Sequence, residues 1–173
     1  FLIEGQKRSE QELQKALKDN EYLSNISKID ELSKIYNRRG FYSQVKEIFN
    51  NPKMWGKRAI LLYGDLDGLK RINDVYGHDE GDVAIQAIAE IMTEAFSSDG
   101  IISRFGGDEY AAMIITTQME FEHVLLPSFH HIKNGVNAKL NKPYTIDISI
   151  GYEEFIITEK SPLVGFFIPT ATS

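Results

Sequence analysis

Two β-type runs joined by two glycines and two acids constrain this chain more than any other stretch. Ile101-Ile102-Ser103-Arg104-Phe105 leads in, Gly106-Gly107 follows, and Tyr110-Ala111-Ala112-Met113-Ile114-Ile115 leads out. Gly-Gly between two such runs predicts a hairpin turn. Asp108 and Glu109 then stand side by side at the start of an apolar strand. Neighbours on a strand point to opposite faces, so the two acids are not both solvent decoration. Glycine leaves the backbone open to an approaching ligand. Two carboxylates on such a turn suit a hard cation and a phosphate chain. An ordinary acidic hairpin is the competing reading, and the rest of the chain has to decide between them.

Ala59-Ile60-Leu61-Leu62-Tyr63 is continuously apolar and reads as a central strand buried on both faces. It runs into Gly64-Asp65-Leu66-Asp67-Gly68. In open sheets with helices, ligand chemistry collects where buried strands end. On an extended chain Asp65 and Asp67 share a face. With Asp108 also available, this stretch favours the cation reading over a plain strand-to-helix loop.

The other elements follow from periodicity. Residues 5–32 carry Leu13, Ala16, Leu17, Asn20, Leu23 and Ile26 at three- and four-residue steps, a helix with one narrow apolar stripe. That stripe is either a short coiled-coil seam or the underside of a helix capping its own domain. Residues 30–41 form a polar joint, followed by a helix with Phe41, Val45, Ile48 and Phe49 on its apolar face. Lys70–Tyr76 predicts a short helix closed by Gly77 in the left-handed cap position. Asp79-Glu80-Gly81-Asp82 opens the next, whose apolar face runs from Ala84 to Phe96. Phe121 to Leu140 predicts a further helix, kinked or interrupted at Pro127. His123, His130 and His131 on it are seven and eight apart, a spacing of surface histidines rather than metal ligands. Tyr144–Ile150 alternates as a strand, and Gly151–Ile157 continues or pairs with it. The order helix, β, α, α, β, β, α, β describes an α+β domain with helices on a mixed sheet.

Composition narrows the partners. A chain of 173 residues suits one domain plus an appendage. The net charge of −6 argues against a nucleic-acid-binding surface. An anionic small molecule therefore needs a local cation or a helix N-terminus. The absence of cysteine excludes disulfides and thiolate zinc sites and agrees with a cytoplasmic location. No apolar run approaches the roughly 18 residues that span a bilayer. The chain starts Phe1-Leu2-Ile3 with no initiator Met, so an upstream part is expected, and it is the part that would carry any membrane anchor.

Taken together, the ordered set resembles the GGDEF family of diguanylate cyclase domains. Asp30-Glu31-Leu32-Ser33 through Asn37-Arg38-Arg39 is similar to its opening signature, with Ser33 for the usual Thr and Lys34 for the usual Gly. Asp65-Leu66-Asp67, Lys70, Asn73-Asp74, Gly77-His78 and Gly81-Asp82 resemble its nucleotide-binding block, and Arg104–Tyr110 its signature turn, with Tyr for Phe. Ser149-Ile150-Gly151 matches a strand near its end. A lone Gly-Gly-Asp-Glu is weak; this many spaced motifs are not a chance agreement. The resemblance implies a five-stranded sheet surrounded by helices, related to nucleotidyl cyclase and polymerase palm domains. It divides the chain into an N-terminal signalling helix (1–29), the cyclase domain (30–157) and an atypical tail (158–173).

The family reaction joins two GTP into cyclic di-GMP with release of pyrophosphate, in two domains facing each other. The resemblance therefore implies a GTP-binding homodimer below an upstream sensory domain. It assigns Asp65, Asp108 and the Leu66 carbonyl to Mg²⁺ or Mn²⁺. Asp108 becomes the proton acceptor, with Glu109 sharing metal and base duties. Lys70 is a point charge for phosphate. Guanine offers N1–H and N2–H side by side, which one carboxylate, that of Asp82, accepts together; Asn73 gives and accepts on the same edge. His78 braces the loop or touches the base. Two departures stand out. The family's Arg-x-x-Asp product-inhibition motif is replaced by Ser97-Ser98-Asp99-Gly100. Its last helix, with a phosphate-gripping Lys and Arg, is replaced by a tail with Pro162, Pro169 and only Lys160 as a cation. That tail favours the alternative of a non-catalytic nucleotide-binding or signalling module; a dimerisation unit built on the N-terminal helix is the third reading.

Overall fold

The structure, a computed structural model, describes residues 2–96, 98 and 100–159. Ser97 and Asp99 of the altered feedback motif, and residues 160–173 of the atypical tail, lie outside the described residues.

Helix α1, Leu2–Ile26, carries the predicted period but stops short of the expected residue 32, because Ile29 is drawn into a bridge with Tyr36. Leu13, Leu17 and Leu23 stand about 60% exposed, so among the described residues the stripe does not cap its own domain. The joint after it is a tight loop. The Asp30 carboxylate accepts the Ser33 N–H (2.8 Å) and hydroxyl (2.7 Å), and the Lys34 N–H meets the Asp30 carbonyl. The loop delivers β1, Tyr36–Asn37, a two-residue strand that periodicity did not reveal. Asn37 then caps α2, Arg38–Phe49, by accepting the Gly40 N–H at 2.8 Å.

The long apolar run becomes β2, Arg58–Leu66, between two antiparallel partners. After it come α3, Leu69–Tyr76, α4, His78–Phe96, β3, Gly100–Gly106, and β4, Glu109–Ile114. Gly77 does end α3 with a positive φ of 94°, but its ψ of 163° is extended rather than left-handed helical. The chain has to swing straight into α4 at the next residue, and a left-handed cap would aim it elsewhere. A short helix α5, Gln118–Glu120, passes through a wide π turn, Phe121–Leu125, into α6, Leu126–Leu140. The interruption falls where expected, just before Pro127, which lacks an N–H for the i−4 carbonyl.

The final strand differs from expectation. Strand β5, Ile148–Ile156, unites the two C-terminal runs, while Tyr144–Asp147 is not in the sheet. The Asn137 side chain explains this: its amide donates to the Ile146 carbonyl and accepts the Ile146 N–H, both at 2.8 Å. One side chain thus supplies the hydrogen bonds that a neighbouring strand would.

The sheet order is β1-β3-β4-β2-β5, with β1 parallel to β3 and the other pairs antiparallel. Ile60, Leu62 and Leu66 turn to one face, where α4 and α6 close a core around Ile88, Met92 and Phe96. Ala59, Ala111 and Met113 turn to the other, under Phe41, Val45 and Phe49 of α2. Phe96 stacks on Phe121 (6.0 Å) and Phe129 (5.4 Å). Full burial of each such ring is worth about 1.5–3 kcal/mol. The tyrosine that replaces the family's Phe in the signature, Tyr110, is fully buried and donates to the Ile85 carbonyl of α4 at 2.9 Å. No helix among the described residues is long and apolar enough to cross a membrane.

Candidate active site

Strand parity puts the acids together. Asp65 lies directly opposite Glu109 in the β2–β4 ladder, and Tyr63 opposite Ala111, all on the α2 side of the sheet. The hairpin is not the simple Gly-Gly turn that was expected. Its ladder shifts register between Arg104 and Gly106, so Gly106 pairs with Glu109 and the tip is Gly107-Asp108. Asp108 therefore sits in the turn rather than at the start of the strand. Gly107 takes φ +49°, a conformation that side-chain-bearing residues rarely adopt. The Leu66 N–H donates to the Asp108 carbonyl at 2.8 Å, which ties the strand end holding Asp65 to the hairpin tip.

The charge balance at this point is uneven. Burial, followed by the charges of Asp108, Glu109 and Asp67, raises the Asp65 pKa above its ordinary value. Burial and then the Glu109 carboxylate push the Tyr63 phenol well above its own. Carboxylates short of counter-charge are what a divalent cation relieves. Among the described residues no three acidic or histidine side chains form a closed metal cage.

Asp67 shares a face with Asp65, as parity suggested: it bonds Ser149, the β5 partner of Asp65, and its charge is among those felt by Asp65. Strand β2 ends at Leu66, and Asp67 turns towards β5: its N–H meets the Asp147 carbonyl at 2.9 Å and its carboxylate accepts the Ser149 hydroxyl at 2.8 Å. Lys70 lies exposed in the first turn of α3, and His78 and Asp82 lie exposed in the first turns of α4. Asn73 abuts Gly81, the residue before Asp82. Its side-chain oxygen lies so close to Gly81 that a Cβ built there would come within 1.8 Å of it. The expected base-recognition pair thus stands on two helices in van der Waals contact.

Sequence reasoning missed the support for the hairpin. Arg104 donates to the Gly107 carbonyl through two guanidinium nitrogens and forms an ion pair with Asp30 at 3.1 Å. Burial disfavours the Asp30 carboxylate, but Ser33 and Arg104 outweigh it and hold its pKa below the ordinary value. Asp30-x-x-Ser33 was visible as a motif, yet nothing local linked it to the turn. Tyr63 was also missed; its parity with Asp65 was the available signal. Arg38 lies over the Phe105 ring at 5.3 Å on the same side of the sheet.

The profile of the family described as diguanylate cyclase, GGDEF domain, matches residues 27–162. The chain is 32% identical over 126 residues to a probable diguanylate cyclase, DgcC, of Escherichia coli, covering 73% of this chain and 34% of that protein. It is 31% identical over 125 residues to the cyclic di-GMP phosphodiesterase NbdA of Pseudomonas aeruginosa, covering 72% of this chain and 15% of that one. The chain thus spans about a third or less of these relatives. Its fold is similar to the coiled coil and GGDEF domain of DgcB from Caulobacter crescentus, solved with c-di-GMP (TM-score 0.63, 21% identity, 89% of this chain and 83% of that one). It is also similar to diguanylate cyclase SiaD of Pseudomonas aeruginosa in complex with its activator SiaC (TM-score 0.65, 24% identity, 90% and 60%). Profile, relatives and sheet agree over most of the sequence, and the chain belongs to the diguanylate cyclase GGDEF domain family.

Proposed function

We propose that this chain is a catalytic diguanylate cyclase domain that condenses two GTP into cyclic di-GMP and acts as a homodimer below an upstream sensory domain. The observation that carries the reading is the Asp65–Glu109 pair across the ladder, with the Asp108 carbonyl held by the Leu66 N–H. In this reading Asp65, Asp108 and the Leu66 carbonyl hold Mg²⁺ or Mn²⁺, which supplies charge neutralisation for phosphate and a more acidic attacking hydroxyl. Asp108, aided by Glu109, takes the proton of one GTP's 3′-hydroxyl. The freed oxygen bonds to the α-phosphorus of the other GTP, the bond to the β-phosphate oxygen breaks, and pyrophosphate leaves. The same exchange in the opposite sense closes the ring. Lys70 faces the phosphates, and Asp82 and Asn73 read the guanine edge. His78 stays a secondary contact. Residues 30–157 form the catalytic unit and 1–29 its signalling helix.

The test is incubation with GTP and Mg²⁺ at high protein concentration, with chromatographic detection of cyclic di-GMP. Product that disappears in Asp65→Ala and Asp108→Ala is expected; no product from the parent overturns the reading. A second reading, a non-catalytic nucleotide-binding or signalling module, is favoured by the tail sequence, which offers Lys160 alone where the family has two cations. Under it GTP binds but no pyrophosphate is released.

A further inference from the structure

In the cyclase reading the Leu66 carbonyl holds metal, which requires its peptide plane to face the hairpin tip. The ladder alone does not ensure this. Strand β2 ends at Leu66, and the chain turns away through Gly68, at φ +71°. Gly68 opens α3 without a side-chain cap, so the helix does not hold the turn from its own side.

The restraint comes from Asp67. Its N–H meets the Asp147 carbonyl at 2.9 Å, on the β5 flank. Across the trans Leu66–Asp67 peptide, that N–H and the Leu66 carbonyl point in opposite directions. The Leu66 carbonyl is therefore turned to the β4 flank, where the Leu66 N–H already donates to the Asp108 carbonyl at 2.8 Å. The Asp67 carboxylate makes a second bond to β5, accepting the Ser149 hydroxyl at 2.8 Å. Asp147 is itself tied to α6: its carboxylate pairs with Lys133, and Asn137 clamps the neighbouring Ile146. We propose that Asp67 is a positioning residue, held on β5 through Ser149 and Asp147, that aims the Leu66 carbonyl at the hairpin tip carrying Asp108. This inference rests on the cyclase reading for what the carbonyl does there, not for how it is aimed. A hydroxyl donates to a carboxylate without adding charge, so Ser149 fixes Asp67 without neutralising the site.

The experiment compares the full chain with Ser149→Ala, Ser149→Thr, Asp67→Ala and the Ser149→Ala, Asp67→Ala double variant. Amide hydrogen exchange, followed by NMR, reads the Asp67 N–H. Titration with Mn²⁺ alone, counted by electron paramagnetic resonance, reads the metal site. In Ser149→Ala the Asp67 amide should exchange about fivefold faster and half-saturating Mn²⁺ should rise about fivefold, the size of one lost hydrogen bond. The Leu62 amide, in the middle of β2, should exchange as in the parent, because the loss is local. Ser149→Thr keeps the hydroxyl and should stay within about twofold of the parent in both measurements. Adding Ser149→Ala to Asp67→Ala should weaken Mn²⁺ binding no further, because the hydroxyl acts through Asp67. Unchanged Asp67 exchange or Mn²⁺ binding in Ser149→Ala, equal acceleration at Leu62, no rescue by threonine, full additivity in the double variant, or a parent that binds no Mn²⁺ would each overturn the inference. A parent that makes no cyclic di-GMP, yet shows both shifts and their rescue, overturns the cyclase reading and leaves the role of Asp67 standing. A parent that makes cyclic di-GMP, with Mn²⁺ bound equally well by Ser149→Ala, does the opposite.

Discussion

Arg104 reaches both carboxylate oxygens of Asp30, at 3.1 and 3.2 Å, across 74 positions of sequence. The same guanidinium donates to the Gly107 carbonyl at 2.8 and 2.9 Å. One side chain therefore joins the loop after α1 to the turn that carries Asp108.

Asp30→Asn should lower stability by about 1 kcal/mol at neutral pH, a charge-assisted bond discounted for partial exposure. That is about 2–4 °C in Tm for a domain this size. The folded pKa of Asp30 is depressed. Its stabilisation is thus present above the unfolded value of about 3.9 and is lost as pH falls through the lower folded value. The gap in Tm between parent and variant should be open at pH 7 and close towards pH 3. A gap independent of pH would remove the charge from the explanation.

Asp65→Asn should do the reverse. The folded pKa of Asp65 is raised, so its charged form opposes folding once pH rises through that value. Removing the charge should raise Tm at pH 7, with little change at pH values where the acid is already protonated. Under the proposed cyclase reading, in which Asp65 would hold the metal, turnover should fall at least about 10²-fold. A variant no more stable than the parent at pH 7 would show that the crowding is relieved in another way.

Gly81→Ala tests the base-recognition pair from behind. A Cβ at position 81 meets the Asn73 side-chain oxygen at 1.8 Å, so the amide must swing away. The amide is a flexible tip, and the fold should survive. Preference for GTP over ATP in calorimetric titration should drop by about 10-fold, the loss of a base-edge hydrogen bond or two. Asp82→Ala should erase the preference. Parental selectivity in Gly81→Ala would mean that Asn73 reads nothing.

Leu13→Glu combined with Leu17→Glu should weaken self-association without unfolding the domain, because both side chains are exposed on α1. Sedimentation should show a rise in monomer. If the chain is the proposed cyclase, in which two domains meet, specific activity should become more steeply dependent on protein concentration. Unaltered association would place the contact between copies elsewhere.

Local pattern made part of this molecule readable and long-range pairing hid the rest. Strand β2 and the hairpin were legible because apolar continuity and Gly-Gly are local signals. Strand β1 was not, since two residues have no period and Tyr36–Asn37 is extended by pairing with Ser103–Arg104 on one side and with Ile29 on the other. Tyr144–Asp147 has genuine alternation, with Ile146 and Ile148 buried, but the partner of Ile146 is a side chain on α6. The shared parity of Asp65 and Asp67 was legible as well, because the Asp67 N–H carries the same register on to the Asp147 carbonyl and Ser149, opposite Asp65, donates to the Asp67 carboxylate. The carboxylates of the candidate site were visible in the motifs. The group that braces the hairpin tip, Arg104 with Asp30, depends on a contact between distant residues.

The wide turn before Pro127 acts as a phase correction. An ideal α-helix advances about 100° per residue, so Phe129, eight residues after Phe121, would lie about 80° round the axis from it. The π turn absorbs one residue of that advance and returns both rings to the same side, where Phe96 meets them. Pro127 marks where the slip falls. Moving the proline one position along would move the slip with it, and deleting one residue between Phe121 and Pro127 would leave a regular helix with the aromatic rings still in phase.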